Sequence, residues 1–569
     1  MKIITKYFLF FLLIVVAGTG CKKYVDVTNP DTLIDPDYWK NENSVRTYAW
    51  EFYNMFTGYG NGSSTNGDFY FSTLTDDQAA ATFTQFPTST DSTNAGWSFT
   101  NVRKANIMLE RIDGVSMSDE AKNHWKGIAR FFRALHYFRL VQTFGGVPWF
   151  ETSLDITDTA QIYKPRDTRQ LVMDKVLADI NFAVTNLRQK DLDNTVNKDV
   201  ALALKSRVGL YEGTYRKYHT ELSLPDADKF LQQSKDASQA LMSTTSYSLS
   251  ANYQANYNSD NLSTNKEMIL YKRYEAGLLS HSLIAYNYSS TAMNGLTKSA
   301  VESYLAVDGL PISISPLYQG DADITKVVAN RDRRLKLTID TIYLYYKGHT
   351  TLPGSKVYLG LTSSTGYRPN KFLYDSIKLL TVPTAIGTNV TDAPLFWLAE
   401  VYLNYAEASA ELDQLGKYSF TQNDLDISIN KLRTRAGVAK LEYKGGQAVG
   451  VNGVTFVDPK KDADVTSLIW EIRRERRVEL MMDGFRFDDI MRWKKGGYLD
   501  SGVNPDSWLG AKVPANGSIT INAQGYITPY TTAQKRTFAD PKNYLSAVPT
   551  SQILLYPATV QTSMQNPGW

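Results

Sequence analysis

The 569-residue chain has a single cysteine, Cys21, and five histidines. One thiol closes no disulfide within the chain and excludes an all-cysteine metal site. Five scattered histidines leave little for a histidine-rich metal centre. Neither sign of charge is in marked excess: 61 basic residues face 58 acidic ones, a formal net charge of +3. That balance implies no basic field for nucleic acid. Long apolar runs are missing as well. Tyr7 to Ala17 is an apolar run of 11, short of the ~20 residues a membrane-spanning helix needs, and no other run approaches about 18. The familiar catalytic signatures are absent: no GxGxxG after a strand, no GxxxxGK[ST], no HExxH and no GxSxG elbow.

Hydrophobic residues make up 43% and charged residues 21%, so a sizeable core is available and wholesale disorder is excluded. At ~150 residues per domain the length suggests about four domains, but a repeat superhelix or one large unit fits as well. Aromatic residues are abundant, with 36 Tyr, 24 Phe and 10 Trp. Tyr among Asn, Ser, Thr and Gly is the chemistry of a wet, sugar-like surface, and it is also common in secreted proteins.

Residues 1–20 read as a leader. Lys2 and Lys6 form a positive start, and Tyr7–Ala17 is a secretory apolar core. Gly18-Thr19-Gly20 before Cys21 resembles a bacterial lipoprotein signal, although Gly18 stands where a large aliphatic residue is usual. The plainer alternative is an ordinary signal peptide with an incidental cysteine. Residues 21–40 read as a lipidated N-terminus and tether, rich in Asn, Asp and Pro from Val25 to Pro36. Several acyl chains on Cys21 would attach the protein firmly to a membrane.

Helical periodicity dominates residues 41–244. Stripes at helix spacing predict helices over Ser44–Phe56, Trp97–Ile112, Lys122–Phe144, Thr168–Leu187, Lys198–Tyr218 and Ala227–Met242. Short loops between amphipathic helices indicate stacked helix hairpins without a strict repeat. Residues 245–391 read as an irregular, loop-rich insert, with strand-like runs at Glu267–Tyr271, Val327–Val328 and Leu337–Tyr346. Helices return in residues 392–569, at Pro394–Leu412, Leu425–Ala436 and Ser467–Trp493, before a looped tail.

Candidate chemistry is sparse. Glu475 and Glu479 lie one helical turn apart among Arg473, Arg474, Arg476 and Arg477, which reads as a salt-bridged helix. Adjacent Asp488 and Asp489 point about 100° apart on a helix, unlike the carboxyls ~5 to ~9 Å apart across a cleft in a glycosidase. A cap or ion-pair role suits them better. His124 and His136 read as structural.

Ordered blocks then carry a family pattern. Trp97-Ser-Phe-Thr-Asn-Val-Arg-Lys-Ala-Asn106, Gly127-Ile-Ala-Arg-Phe-Phe-Arg-Ala134 and Phe144-Gly-Gly-Val-Pro148 come first. Ser299–Tyr304, Asp308-Gly309 and Arg331-Asp-Arg-Arg334 follow mid-chain. Leu398-Ala-Glu-Val-Tyr-Leu-Asn-Tyr-Ala-Glu-Ala408, Arg433-Thr-Arg-Ala-Gly437, Glu475–Leu480, Asp483–Asp489 and Gln565-Asn-Pro-Gly-Trp569 complete the series. In this order the chain resembles the SusD/RagB family of Bacteroidetes outer-membrane lipoproteins. Ile128 and Arg333 depart from the usual Glu and Pro at scaffold positions. Glu400, Glu407 and Glu411 offer carboxylates to the arginines of the 470s helix.

The resemblance implies a mainly α fold: a tetratricopeptide-like α/α superhelix with a loop-rich insert and minor β structure. It implies an outer-membrane protein, facing the cell exterior, that captures oligosaccharide without bond chemistry, cofactor or metal. Its partner would be a SusC-like TonB-dependent barrel that it covers as a lid. Alternatives are peptide or another non-glycan nutrient as cargo, or a carbohydrate-active enzyme. Sugar rings stack on aromatics flanked by Asn, Asp or Arg, and the scaffold helices are occupied by packing, so three loops are candidates. Loop one, Phe56–Phe86, offers Tyr59, Asn61, Asn66, Asp68, Phe69, Tyr70 and Asp76. Loop two, Tyr274–Asn294, offers Tyr286, Asn287 and Tyr288. Loop three, Tyr343–Tyr367, offers Tyr345, Tyr346, Tyr358 and Tyr367. Trp97 opens a helix and reads as core.

The leader yields a direct expectation. Mass spectrometry of the mature N-terminus should find Cys21 first and acylated; an unmodified residue, or cleavage elsewhere, contradicts the reading.

Overall fold

The computed structural model describes residues 38–569 except 65–66, 70–73, 91–95, 288–293, 342–362, 374–384 and 515–518. The expected leader and Cys21 lie outside the described residues. Helices come in two series. The first is α1 (Glu42–Trp50), α2 (Thr100–Arg111), α3 (Asp119–Phe144), α4 (Arg169–Asn186), α5 (Lys198–Tyr218) and α6 (Ala227–Met242). The second is α7 (Leu398–Gln414), α8 (Ile429–Ala436), α9 (Ser467–Glu479) and α10 (Arg486–Arg492). Ser118, Thr168, Asn197 and Thr466 each accept the backbone N–H three residues on. Each such cap contributes about 1 kcal/mol. Gly437, with φ 68°, ends α8 in the left-handed conformation that glycine adopts at least cost.

Successive helices pack as tetratricopeptide-like pairs: α3 on α4, α4 on α5, α5 on α6, with α7 against both α5 and α6. The α5–α6 approach is close enough that a Cβ on Gly209 would lie 2.7 Å from the Phe230 carbonyl. Small antiparallel pairs stitch the remainder. β1 (Gln78–Ala80) pairs with β3 (Asn294–Leu296), β2 (Met268–Lys272) with β4 (Ala393–Trp397), and β5 (Glu442–Lys444) with β6 (Gln447–Val449). One continuous core includes Phe131, Tyr257 and Leu403, so it crosses all three regions that the sequence separates.

Several expected elements differ. The strand-like run at Leu337–Tyr346 opens inside a helix, Arg333–Thr338, with residues 342–346 outside the described ones. The helix expected over Leu425–Ala436 is broken between Gln422–Asp426 and α8. The run from Pro394 begins as β4, because Ala393–Trp397 pairs with β2 before α7 starts at Leu398. Val327–Val328 ends a short helix, Ile324–Val328, that Asp323 caps. The helix expected over Ser467–Trp493 breaks after Glu479. Met482 and Gly484 take φ of 68° and 86°, and a Cβ on Gly484 would meet the Asp68 carbonyl at 2.2 Å. The break brings the chain against loop one, a contact that a straight helix would miss.

Buried ion pairs join the two series and the insert. Arg334 lies within 2.6–2.7 Å of Asp332, Glu475 and Glu479. Arg433 contacts Glu471 and Glu475 at 3.2 Å, and Arg435 bridges Glu267 and Glu479. The two carboxylates one turn apart on α9 are thus tied to other elements. The α7 carboxylates divide differently from expectation. Glu411 does meet Arg473 of α9, at 3.4 Å, and also Lys217. Glu407 instead accepts both Arg492 nitrogens, at 2.6 and 2.7 Å, and the Trp493 indole N–H. Glu400 pairs with Arg207 of α5 at 2.6 Å. Seven residues span about 10 Å of helix axis, so glutamates on one stripe face different neighbours.

Arg334→Ala would leave Asp332 buried without its cation and take one of two cations from each of Glu475 and Glu479. Breaking such a cluster should cost about 3–5 kcal/mol, read as a lower urea midpoint. A loss below about 1 kcal/mol, the scale of an exposed pair, would contradict the network's role.

Candidate ligand-binding site

The described parts of the three loops meet. Gly62 N–H donates to the Ser280 carbonyl (2.6 Å), Ser282 Oγ to the Gly62 carbonyl (2.7 Å), and the Tyr286 hydroxyl to the Ser63 carbonyl (3.2 Å). Lys272 Nζ donates to Asn61 Oδ1 at 2.7 Å. Farther along, β1 of loop one pairs with β3 at the end of loop two, and Leu296 N–H donates to the Tyr367 carbonyl at the end of loop three (2.9 Å). His281 sits in this seam, and burial pushes its imidazole down to about 3, so it is neutral there.

The nominated residues separate by exposure. Asn61 and Asp68 are exposed and Tyr286 is half-buried. Asp68 accepts Thr57 Oγ1 (2.5 Å) and Gly58 N–H (3.1 Å), which shapes the turn of loop one. Tyr59, Phe69 and Tyr367 are core residues instead of open stacking surfaces, with exposures of 0, 3 and 2%. The Tyr59 hydroxyl donates to the Tyr257 carbonyl at 2.9 Å and its ring meets Phe69 edge-on. Asn287 is buried, donating to the Leu283 carbonyl and accepting from Asn294. Asp76 is buried between Arg486 (2.7 Å) and Arg477 (3.1 Å). Burial opposes its charge, but the two guanidinium groups prevail and keep the carboxyl well below its usual range. Tyr70, Tyr288, Tyr345, Tyr346 and Tyr358, with Asn66, lie outside the described residues.

Two cavities adjoin these loops. One, of about 190 Å³, lies under Asp68 and Phe69 and is lined by Arg139, Gln142, Arg207 and Asp488. That is below the ~300–1,000 Å³ of most ligand pockets. The other, of about 390 Å³, places half-buried Tyr271 beside Arg273, Asp260 and Asn261. An aromatic ring flanked by Arg, Asp and Asn is sugar-binding chemistry that the sequence reading missed, because Tyr271 sits in a strand-like run. The available signal was alternation: residues i and i+2 of a strand share a side, which sets Tyr271 with Arg273. Among the described residues, no group of three or more His, Cys, Asp or Glu side chains could hold a metal ion. No helix among them is long and apolar enough to cross a membrane.

Comparison with known proteins places this architecture. A family model described as the SusD family matches residues 238–569, and the chain belongs to that family. A second model, described as starch-binding associating with outer membrane, matches residues 32–210. A SusD-like protein, P38, from Formosa agariphila is 27% identical over 224 residues, 37% of this chain and 44% of the relative. The match thus spans less than half the length of that curated relative. A solved SusD-like carbohydrate-binding protein from Bacteroides fragilis superposes with a TM-score of 0.68 at 20% identity, over 91% of this chain and 99% of its own. Surface glycan-binding protein A from Bacteroides fluxus gives a TM-score of 0.59 at 17% identity, over 93% and 100%. These two likenesses establish the fold.

In the smaller cavity, Asp489 takes the guanidinium groups of Arg476 and Arg492 at 2.8 Å. Asp488 accepts a hydrogen bond from the neutral Gln142 at 2.8 Å. Burial, and then the charge of Asp489, push the Asp488 carboxyl up to about 6. An unfolded Asp titrates near 3.9. Between those values the folded chain retains a proton that the unfolded chain releases, so stability falls as pH rises through about 4 to 6. Asp488→Asn should therefore stabilise the fold at pH 7.5 by at most about 3 kcal/mol, read as a higher urea midpoint, with little effect at pH 4. An equal effect at both pH values would contradict this assignment.

Proposed function

We propose that the protein is a lipid-anchored capture protein of the outer membrane. It binds oligosaccharide on the face where the three loops meet and delivers it to a SusC-like TonB-dependent barrel, which it covers as a lid. Acyl chains on Cys21 attach it to the membrane, and a tetratricopeptide-like superhelix supports the loops toward the cell exterior. The observation that carries this reading is the separation of roles within a SusD-family fold. Scaffold carboxylates such as Glu407, Glu475, Glu479 and Asp489 are committed to arginines, while Asn61, Asp68 and Tyr286 remain accessible on adjoining loops. Commitment of these carboxylates to arginines supports binding over hydrolysis. The names of the two solved relatives, carbohydrate-binding and glycan-binding, support the class of cargo.

On this reading Tyr286 and, from the same loops, Tyr70, Tyr288, Tyr345, Tyr346 and Tyr358 supply ring faces, with Asn61 and Asp68 at their edges. The depression holding Tyr271 and Arg273 extends the surface. Affinity should be modest, roughly micromolar to millimolar, because wet hydrogen bonds and stacking gain little beyond the cost of ordering.

The test is calorimetry of the chain lacking residues 1–21 against a panel of oligosaccharides and peptides, with product analysis on the same samples. Binding of an intact oligosaccharide is expected. Tyr286→Ala and Tyr288→Ala should each weaken it about five- to tenfold, roughly the 1 kcal/mol of an aromatic contact, with an unchanged helical spectrum. New reducing ends in proportion to protein, or peptide binding without glycan binding, would overturn the proposal. Unaltered affinity in both variants would remove the site from these loops.

A further inference from the structure

The smaller cavity, of about 190 Å³, lies among α3, α5, β4 and α10 beneath loop one. Its charged groups are of two kinds. Most are committed. Arg207 pairs with Glu400 at 2.6 Å, Arg476 with Asp489 at 2.8 Å and Arg492 with Glu407 at 2.6 Å. Asp483 pairs with Lys371 at 2.6 Å, and the two oxygens of Asp68 accept from Thr57 and Gly58 in its own turn. Asp488 and Arg139 differ. Both line the cavity, and neither enters an ion pair among the described residues.

Both are also half-buried, so each keeps surface that a ligand can touch. Asp488 uses one oxygen, Oδ2, which accepts Gln142 Nε2 at 2.8 Å. Its Oδ1 is left over, and the same amide orientation leaves Gln142 Oε1 as a second acceptor nearby. Arg139 uses one nitrogen, donating Nη1 to the Met55 carbonyl at 2.6 Å. A guanidinium carries five N–H donors, so most of its fork is unused. Arg139 and Gln142 are three residues apart on α3 and therefore share a face. An unused cation thus stands beside an unused anion, with a gap and not an ion pair between them.

This arrangement opposes stability. Burial, and then the charge of Asp489, push the Asp488 carboxyl up to about 6, so at neutral pH the fold holds a carboxylate without a cation of its own. An asparagine of the same shape would be held there at lower cost. Groups held against stability mark binding sites more often than scaffold. Other walls are apolar: Leu135, Phe138, Leu395 and Trp397 are buried and line the same cavity. A cavity of about 150 Å³ holds benzene, so this one suits a molecule roughly the size of leucine.

We propose that this cavity is a site for a free α-amino acid with an apolar side chain. Its ammonium sits on Asp488 Oδ1 and Gln142 Oε1, its carboxylate on the Arg139 guanidinium, and its side chain against Phe138 and Trp397. Opposite charges on one small molecule satisfy both unpaired groups at once. A neutral sugar satisfies neither charge, and an acid or an amine alone satisfies only one. The site does not depend on the glycan reading of the loop face, which rests on Asn61 and Tyr286 and not on α3 or α10.

The experiment titrates the chain lacking residues 1–21 with L-leucine at pH 7, following heat. The controls are L-leucinamide, which lacks the carboxylate, and 4-methylpentanoate, which lacks the ammonium. Leucine should bind in roughly the millimolar range or tighter, as suits so small a ligand. It should bind about tenfold or more tighter than either control, because each control forfeits one charge-assisted contact. Asp488→Asn and Arg139→Gln should each weaken leucine by about tenfold or more on the same ground. The Asp488→Asn loss should not extend to 4-methylpentanoate, nor the Arg139→Gln loss to leucinamide, a pattern that a merely collapsed cavity would not give. Circular dichroism and the urea midpoint report whether each variant is folded. Tyr286→Ala should leave leucine binding intact, which separates failure here from failure of the loop-face site. No heat of leucine binding, leucine binding no tighter than either control, or unchanged leucine affinity in both cavity variants would overturn the proposal.

Discussion

Burial of arginine against carboxylate between elements far apart in the chain is the constraint on which the rest of this structure depends. Arg334 from the insert meets Glu475 and Glu479 of α9, and Arg492 of α10 meets Glu407 of α7. Arg477 and Arg486 grip Asp76 of loop one. Desolvating such groups offsets much of their attraction, so the pairs add less net stability than their number suggests. They act on geometry. A guanidinium that must find its carboxylates or remain uncompensated admits one arrangement of helices, and it sets where each loop leaves the scaffold.

That constraint explains why several aromatic and acidic loop residues are roots and not tips. Tyr59, Phe69 and Tyr367 bury their rings, and Asp76 is enclosed by guanidinium groups. Together they fix the loop bases against α9, α10 and the seam around His281. Between those roots Asn61 is exposed and Tyr286 half-buried. The fold itself is shared with solved relatives at 17–20% identity.

The helices of the first series were legible in the sequence because their apolar stripes recur at helix spacing. Lys198–Tyr218 and Ala227–Met242 are found with their expected bounds, and Thr168, expected as the first residue of its helix, is the cap of α4. His124 and His136 are structural: His124 accepts the Arg188 N–H and His136 meets the Ser98 carbonyl. Trp97 is half-buried against Phe144. What the sequence did not disclose depends on distant partners. The apolar run at Pro394 becomes a strand because β2 lies beside it, and α9 ends early because loop one needs Gly484 close by. Burial of a loop tyrosine is likewise decided by what folds over it: Tyr59 and Asn61 are two residues apart, one in the core and one exposed. Tyr271 escaped notice because a strand residue facing a cavity has the same local pattern as one facing the core.

The proposed capture of an intact oligosaccharide requires loops rooted in a rigid, arginine-tied scaffold. Hydrogen–deuterium exchange of the protein with and without the tightest-binding oligosaccharide tests it most directly. Protection is expected in residues 57–69 and 274–287, with α3 to α7 unchanged and the oligosaccharide recovered whole. Protection centred on those helices, or an oligosaccharide recovered in pieces, would contradict it.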